Sequence, residues 1–306
     1  MPRFLIVDGH AYAYRAFYAI RELRSPDGAP TNALFGFIRM FAKMRAALAP
    51  THAIVVWDGG LSAERTAALP QYKAQRPEMP AELVPQLDEI IRYLQASGVA
   101  SFCREGVEAD DYIACLAQRA VAAGWEVIIA SSDKDFMQLV TAVEGRGSRA
   151  EGRPVAGWVG LLNPHDKTET VWTVERVREK TGVAPEQIVD WLALVGDASD
   201  NIPGVPGVGP KTAAELLRQF GSIQQLYARL GGGKSEKLRA ALAAAADVVR
   251  RNVELVRLKA DLDCEFSPEA LALRAPDTTR LRELFARWGF RSMLAELETT
   301  QQGALL

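Results

Sequence analysis

Two short apolar runs end on a carboxylate with no spacer, FLIV-Asp8 and IVVW-Asp58, and a third run at 127–130 is followed two residues later by Asp133-Lys-Asp135. Glu108-Ala-Asp110-Asp111 opens a helical pattern just after another short apolar segment, and Asp197 and Asp200 stand three apart in GDASDN, at the end of an apolar helix. Any one of these acids has an ordinary explanation in helix capping, the helix dipole or a turn. Seven carboxylates from four segments at one edge do not, because like charges at ~4–6 Å repel and raise one another's pKa unless cations compensate them. Oxygen ligands with no paired His or Cys suit Mg²⁺ or Mn²⁺. Two such ions ~3.5–4 Å apart would activate a water and stabilise the leaving oxygen in phosphodiester hydrolysis.

The elements that must position these acids are legible in the apolar spacing. β-Branched runs at 4–7, 53–57 and 127–130 alternate with helical patterns at 34–48, 81–97 and 109–122, the signature of a parallel sheet with helices on both faces, an α/β fold. The carboxyl ends of parallel strands share one edge, where such folds bind ligands. From about Val174 the strand signal stops, and helices at 186–194, 211–219 and 237–257 take over, joined by Gly and Pro. We therefore divide the chain at 1–173 and 174–306. The stretch 144–157, rich in Gly and Arg, reads as a surface loop, and Gly231–Gly233 as a helix connection.

Two further segments suit a polyanion. NIPGVPGVGPKTA, with Gly204, Gly207, Gly209, Lys211 and Thr212, is a tight Gly/Pro turn that enters a helix with Pro210 at its first position. Its free N–H groups, the helix end and Lys211 form a sequence-independent phosphate seat. A nucleotide P-loop is a poor fit, since Pro210 separates Gly209 from Lys211 and a helix precedes the turn. Residues 205–260 carry ten basic and four acidic side chains. The second segment, Gln71-Tyr72-Lys73-Ala-Gln-Arg76, follows Asp58; Tyr72 is expected to stack on a base and Lys73 and Arg76 to hold the scissile phosphate.

Composition bounds the rest. A chain of 306 residues with 48% hydrophobic content can bury a large core. Its 36 Lys and Arg against 38 Asp and Glu give a net charge of −2, taken alone no argument for a nucleic-acid partner. Yet without the nine candidate metal-site carboxylates the remainder carries +7, a basic surface around an acidic centre. The run at 4–7 is too short for a signal core or membrane span, so a cytoplasmic protein with no membrane partner is expected. Cys103, Cys115 and Cys264 are odd in number and widely spaced, and are expected to be reduced and buried.

Taken in order, IVDG with YRAFYA, VVWD, YKAQRPEMP, GVEADD, SSDKDFMQLV and GDASDNIPGVPGVGPKTA resemble the structure-selective 5′ nuclease family, most closely the 5′→3′ exonuclease domain of bacterial DNA polymerase I and its free-standing relatives. The resemblance covers almost the whole chain. It implies a PIN-like parallel sheet followed by a helical helix-3-turn-helix region at about 186–220, with a helical arch at about 59–80. It further implies a first Mg²⁺ on Asp8, Asp58, Glu108, Asp110 and Asp111, a second on Asp133, Asp135, Asp197 and Asp200, and K⁺ on carbonyls of the glycine turn. Lys73 and Arg76 match the family's cations at the foot of the arch and Tyr72 its stacking position, while Arg15 and Arg65 are expected to contact nucleic acid. The implied partner is DNA with a 5′ flap, overhang or junction, or an RNA primer strand of a hybrid, handled by a monomer at the bacterial nucleoid; the polar ending at 298–302 suits a free-standing enzyme. Three features depart from the pattern: 59–64 lacks the usual lysines and aromatic, Ser132 stands where a glycine is common, and the loop with Arg146, Arg149 and Arg153 is long. A PIN-type ribonuclease and a silent DNA-structure binder are the competing readings.

Overall fold

The computed structural model describes residues 1–142, 157–166, 168, 170–230 and 235–303, with side chains to 299. Most of the arginine-bearing loop at 144–157 and the Gly231–Gly233 connection lie outside the described residues. Five strands form one parallel sheet: β1 (Arg3–Asp8), β2 (His52–Val56), β3 (Ala100–Phe102), β4 (Glu126–Ala130) and β5 (Trp158–Leu162), in the order β3-β2-β1-β4-β5. The central β1 is an unbroken apolar run because both its faces are covered, and Phe4, Leu5, Ile6 and Val7 have no exposed surface. The register sets Asp8 beside Val56 and Val7 beside Ala130. Asp58 and Asp133 thus follow two and three residues beyond neighbouring strand ends, at the same edge as Asp8.

One sheet face is covered by α1 (Gly9–Ala19), α2 (Asn32–Leu48) and, after the short α3 (Ala63–Ala68), by α4 (Val84–Ala96). The other is covered by α5 (Ala109–Ala122). Then come α6 (Val174–Thr181), α7 (Ile188–Val195), α8 (Pro210–Phe220), α9 (Ile223–Ala228), α10 (Glu236–Ala244) and α11 (Ala246–Val256), packed on the α5 side. The single helix expected at 237–257 is broken at Ala245, which closes α10 and opens α11. Buried Leu242 and Val249 anchor the two pieces separately, and the Tyr227 hydroxyl donates to the Leu242 carbonyl at 3.0 Å. After α12 (Pro268–Leu271), the chain returns with α13 (Thr278–Trp288) and α14 (Arg291–Gly303) to the α2/α4 face, where Phe290 meets Phe35 edge to face at 5.1 Å.

The cysteine expectation is corrected. Cys115 on α5 and Cys264 before α12 are paired as a disulfide with Cα atoms 6.7 Å apart, and the remaining Cys103 is exposed. The two partners are 149 residues apart in sequence, so only the tertiary fold brings them together. Among the described residues no helix is long and apolar enough to cross a membrane.

Candidate active site

The acids meet at the carboxyl edge of the sheet, around a cavity of ≈ 390 Å³ whose wall includes Asp8, Asp58, Asp110, Asp133 and Asp197. Each is aimed by its local structure. Asp8 ends β1 and caps α1, its Oδ1 accepting the Ala11 N–H at 3.0 Å and its Oδ2 the Ser131 hydroxyl at 2.8 Å. The close crossing of α1 over β2 requires Gly9, since a Cβ there would run into the Trp57 ring. Asp133 caps the 3-10 turn Lys134–Leu139 by accepting the Asp135 N–H at 2.9 Å, and Asp110 stands in the first turn of α5. Asp197 and Asp200 belong to the turn that leaves α7, closed by paired backbone bonds between Asp197 and Ile202.

The electrostatics are those of an under-compensated acid cluster. Burial, with the neighbouring Asp133 and Asp58, pushes the Asp8 carboxyl up to about 6. Burial together with Asp133 raises both Asp110 and Asp135 well above the ordinary carboxylate range, and burial with Asp200 and Asp197 raises Asp133. Asp135 Oδ1 is buried with no hydrogen-bond partner. A divalent cation fits this donor set: the ligands are hard oxygens, and its charge relieves both their mutual repulsion and the orphaned carboxylate oxygen. As placed, no three of these side chains among the described residues close round one point. Side-chain cations stand among them instead: Lys134 Nζ lies 3.0 Å from Asp197, Arg76 Nη2 2.7 Å from Asp200, and Lys73 Nζ 3.9 Å from both Asp110 and Asp200.

Five of the expected site residues, Tyr72, Lys73, Arg65, Asp111 and Glu108, are buried and absent from the cavity wall. Tyr72 is 4% exposed and its hydroxyl donates to Glu108 Oε2 at 3.1 Å, so its ring is core and not a base-stacking surface. Lys73, held at a left-handed φ of 55°, is buried and bonds Glu108 at 2.7 Å; it faces no solvent from which a phosphate could approach. Arg65 uses its guanidinium on Glu108 at 3.1 Å, on both Asp111 oxygens at 2.7 and 2.8 Å, and on the carbonyls of Leu255 and Arg257, each at 3.0 Å, which leaves it no donor for nucleic acid. Asp111 is correspondingly spent on Arg65 and the Lys259 N–H, away from the cavity. Glu108 accepts from Ser62, Arg65, Tyr72 and Lys73; burial would raise its pKa, but Lys73 and Arg65 outweigh it and hold the carboxyl below its ordinary value. It supports the cavity from behind.

Arg76 does reach the acid edge, on Asp200. Arg15 lies outside the cavity, bonded to His165 Nδ1 at 2.8 Å in a neighbouring cleft between α1, α2 and the end of β5. In the glycine turn Gly207 and Lys211 are exposed, Gly207 has a φ of 79°, Gly209 caps α8, and Thr212 lies in its first turn. A Cβ on Gly204 would overlap the Val195 carbonyl, and Asn252 pins the turn to α11 by donating to the carbonyls of Ala193 and Pro203. Sequence reading missed His10, Tyr14 and Lys134, which line the same cavity. His10 Nδ1 accepts the Asp58 N–H at 3.1 Å, and burial lowers its pKa, keeping the ring a neutral acceptor. Its signal was proximity, two residues after Asp8 on the first turn of α1.

The family described as 5′-3′ exonuclease, N-terminal resolvase-like domain, matches residues 3–182, and its partner, 5′-3′ exonuclease, C-terminal SAM fold, matches 183–279. The chain belongs to the 5′-3′ exonuclease family. It is 36% identical to a 5′-3′ exonuclease of Aquifex aeolicus over 97% of this chain and 96% of that one. It is 37% identical to DNA polymerase I of Bacillus caldotenax over 97% of this chain but only 32% of the relative, so it spans about a third of the polymerases it matches. Among solved structures, T5 5′-exonuclease with bound zinc aligns with a TM-score of 0.65 at 25% identity, over 84% of this chain and 89% of that one. The catalytic core of Rad2 in complex with a DNA substrate aligns at 0.63 and 17% identity, over 96% and 90%, and so shares the fold. The α/β sheet with a helical C-terminal region is the architecture of this family.

Proposed function

We propose that the chain is a Mg²⁺-dependent 5′→3′ exonuclease and 5′-flap endonuclease that cuts DNA, or the RNA primer strand of a hybrid, at single-strand/duplex junctions. The observation that carries this reading is the cavity wall: five carboxylates from separate segments face one space, and the last of them, Asp197, begins the turn that leads to the exposed glycine hairpin. Residues 1–173 would supply the chemistry and 174–306 the grip on the duplex. Asp8, Asp58 and Asp110 are suited to hold one Mg²⁺ and Asp133, Asp135, Asp197 and Asp200 a second; Mn²⁺ would serve as well. When bound, such ions supply a water nucleophile at neutral pH and neutralise charge on the leaving oxygen, which gives a 5′-phosphate and a 3′-hydroxyl.

The remaining work falls to the protein. Arg76, exposed at the cavity rim, is a cation within reach of the scissile phosphate. Lys73 and Arg65 fix Glu108 and the first turn of α5, and so set Asp110 toward the cavity. The N–H groups of the Gly207–Gly209 turn and Lys211 would seat a duplex phosphate, with K⁺ on the turn carbonyls as an intermediary. The test is cleavage-site mapping with Mg²⁺ on paired 5′-flap and blunt duplexes and on single-stranded RNA. Cleavage at the flap junction, abolished in Asp8→Ala and Asp135→Ala, is expected; equal cutting of single-stranded RNA with no junction preference would overturn the reading in favour of a PIN-type ribonuclease.

A further inference from the structure

The two halves of the acid cavity are compensated differently. Asp8 is bonded by neutral donors, the Ala11 N–H and the Ser131 hydroxyl, and Asp58 accepts the Gly60 N–H at 2.8 Å; neither has a cation within ion-pair distance among the described residues. In the other half Asp197 and Asp200 each have one, Lys134 at 3.0 Å and Arg76 at 2.7 Å, while Asp133 and Asp135 have none among the described residues. These two cations are not structural fixtures. Their side chains are 38% and 44% exposed, against 1% for Lys73 and 4% for Arg65, so they can swing away at little desolvation cost. Lys134 follows Asp133 in sequence and lines the same cavity, with its ammonium on the Asp197 carboxylate, where an ion bound by Asp197 would have to displace it.

We propose that Lys134 is the built-in counter-cation of the Asp197 half of the cavity: it keeps a divalent ion out of that half in the DNA-free protein, and a DNA phosphate admits the ion by drawing Lys134, with Arg76, onto itself. The inference rests on the metal-binding reading of the cavity. The exchange is electrostatically even-handed. Lys134 leaves a carboxylate and gains a phosphate, while the ion replaces it on Asp197, so full metal loading is tied to substrate being seated. Asp8 and Asp58 face no such barrier, and Lys73, 3.9 Å from Asp110, is held behind the cavity on Glu108 at 2.7 Å, so that half takes its ion first.

The experiment is calorimetric titration of Mn²⁺ into the DNA-free full chain, with wild type, Lys134→Met and Lys134→Arg compared at equal folded fraction by circular dichroism. Removing a unit positive charge a few ångströms from the incoming ion should tighten the weaker Mn²⁺ event by about tenfold or more in Lys134→Met. Lys134→Arg, which keeps the charge, should resemble wild type. In parallel, binding of a 5′-flap DNA in Ca²⁺ should lose about one unit of salt-dependence slope in Lys134→Met, the share of one phosphate contact. An Mn²⁺ isotherm unchanged by Lys134→Met, or a salt slope unchanged by it, would overturn the exchange while leaving the metal-binding cavity standing. Absence of Mn²⁺ uptake in wild type and variants alike would overturn the cavity reading itself, and the exchange with it.

Discussion

Asp8→Asn should make the metal-free protein more stable while disabling it. Asp8 is 8% exposed, and its carboxyl is raised from 3.8 to about 6, chiefly by burial. One pKa unit corresponds to ~1.4 kcal/mol, so holding Asp8 ionised at pH 7 costs the folded state about 3 kcal/mol. Asparagine is nearly isosteric; its carbonyl can accept the Ala11 N–H and its amide can donate to the Ser131 hydroxyl, so the replacement keeps both bonds. At roughly 2 °C per kcal/mol for a chain of this size, the melting temperature without divalent ions should rise by about 6 °C. Because the folded pKa lies above the unfolded one, the wild-type penalty is complete above pH ~6 and disappears as pH falls below ~4, so the advantage of the variant should shrink over that window. Saturating Mg²⁺ should narrow the gap, since wild type gains about 2.7 kcal/mol at a hundred times Kd and the variant gains less. The assay is thermal unfolding at several pH values with EDTA or Mg²⁺. A variant less stable than wild type in EDTA at pH 7, or an advantage that grows as pH falls, would refute the repulsion argument.

Three other predictions follow from the same geometry. Arg65→Met strands the buried Asp111 and Glu108 and should cost about 3–5 kcal/mol in urea unfolding; a loss under ~1 kcal/mol would show that the guanidinium is not the strut its five bonds indicate. The denatured, unreduced chain should titrate one thiol, Cys103, and three after reduction, with the reduced protein less stable by about 2–4 kcal/mol. Three thiols without reductant would mean that Cys115 and Cys264 are unpaired. Gly204→Ala should push the glycine turn off the Val195 carbonyl and weaken duplex binding severalfold without altering Mn²⁺ uptake by the cavity, measured by anisotropy and calorimetry.

Much of this was legible in the residue order, for physical reasons. A strand buried on both faces must be apolar throughout, so Phe4–Val7 and the runs at 53–57 and 127–130 declared themselves, and an acid at the end of a parallel strand has one edge to face. β5 was not legible, because Trp158–Leu162 contains a glycine and follows a stretch with no periodicity. The acids were identified as a group, but their division was not: Asp110 and Asp111 are adjacent in sequence and a third of a helix turn apart, so one faces the cavity and the other Arg65. Nothing in YKAQR states that Tyr72 and Lys73 turn inward, since that depends on Glu108 lying beneath them. Long-range pairs such as Cys115–Cys264, and a neutral His10 steadying Asp58, likewise exist only once the sheet has assembled.

The central claim is that the carboxylates facing the cavity make a divalent-ion site that hydrolyses DNA at a junction. The most direct measurement is the single-turnover cleavage rate of a 5′-flap duplex across a Mg²⁺ titration, wild type against Asp135→Asn, the carboxylate whose Oδ1 is buried without a partner. The account predicts no cleavage in EDTA, saturable Mg²⁺ dependence in wild type, and a rate lower by at least about a hundredfold in the variant at saturating Mg²⁺. Undiminished cleavage by Asp135→Asn, or cleavage that persists in EDTA, would contradict it.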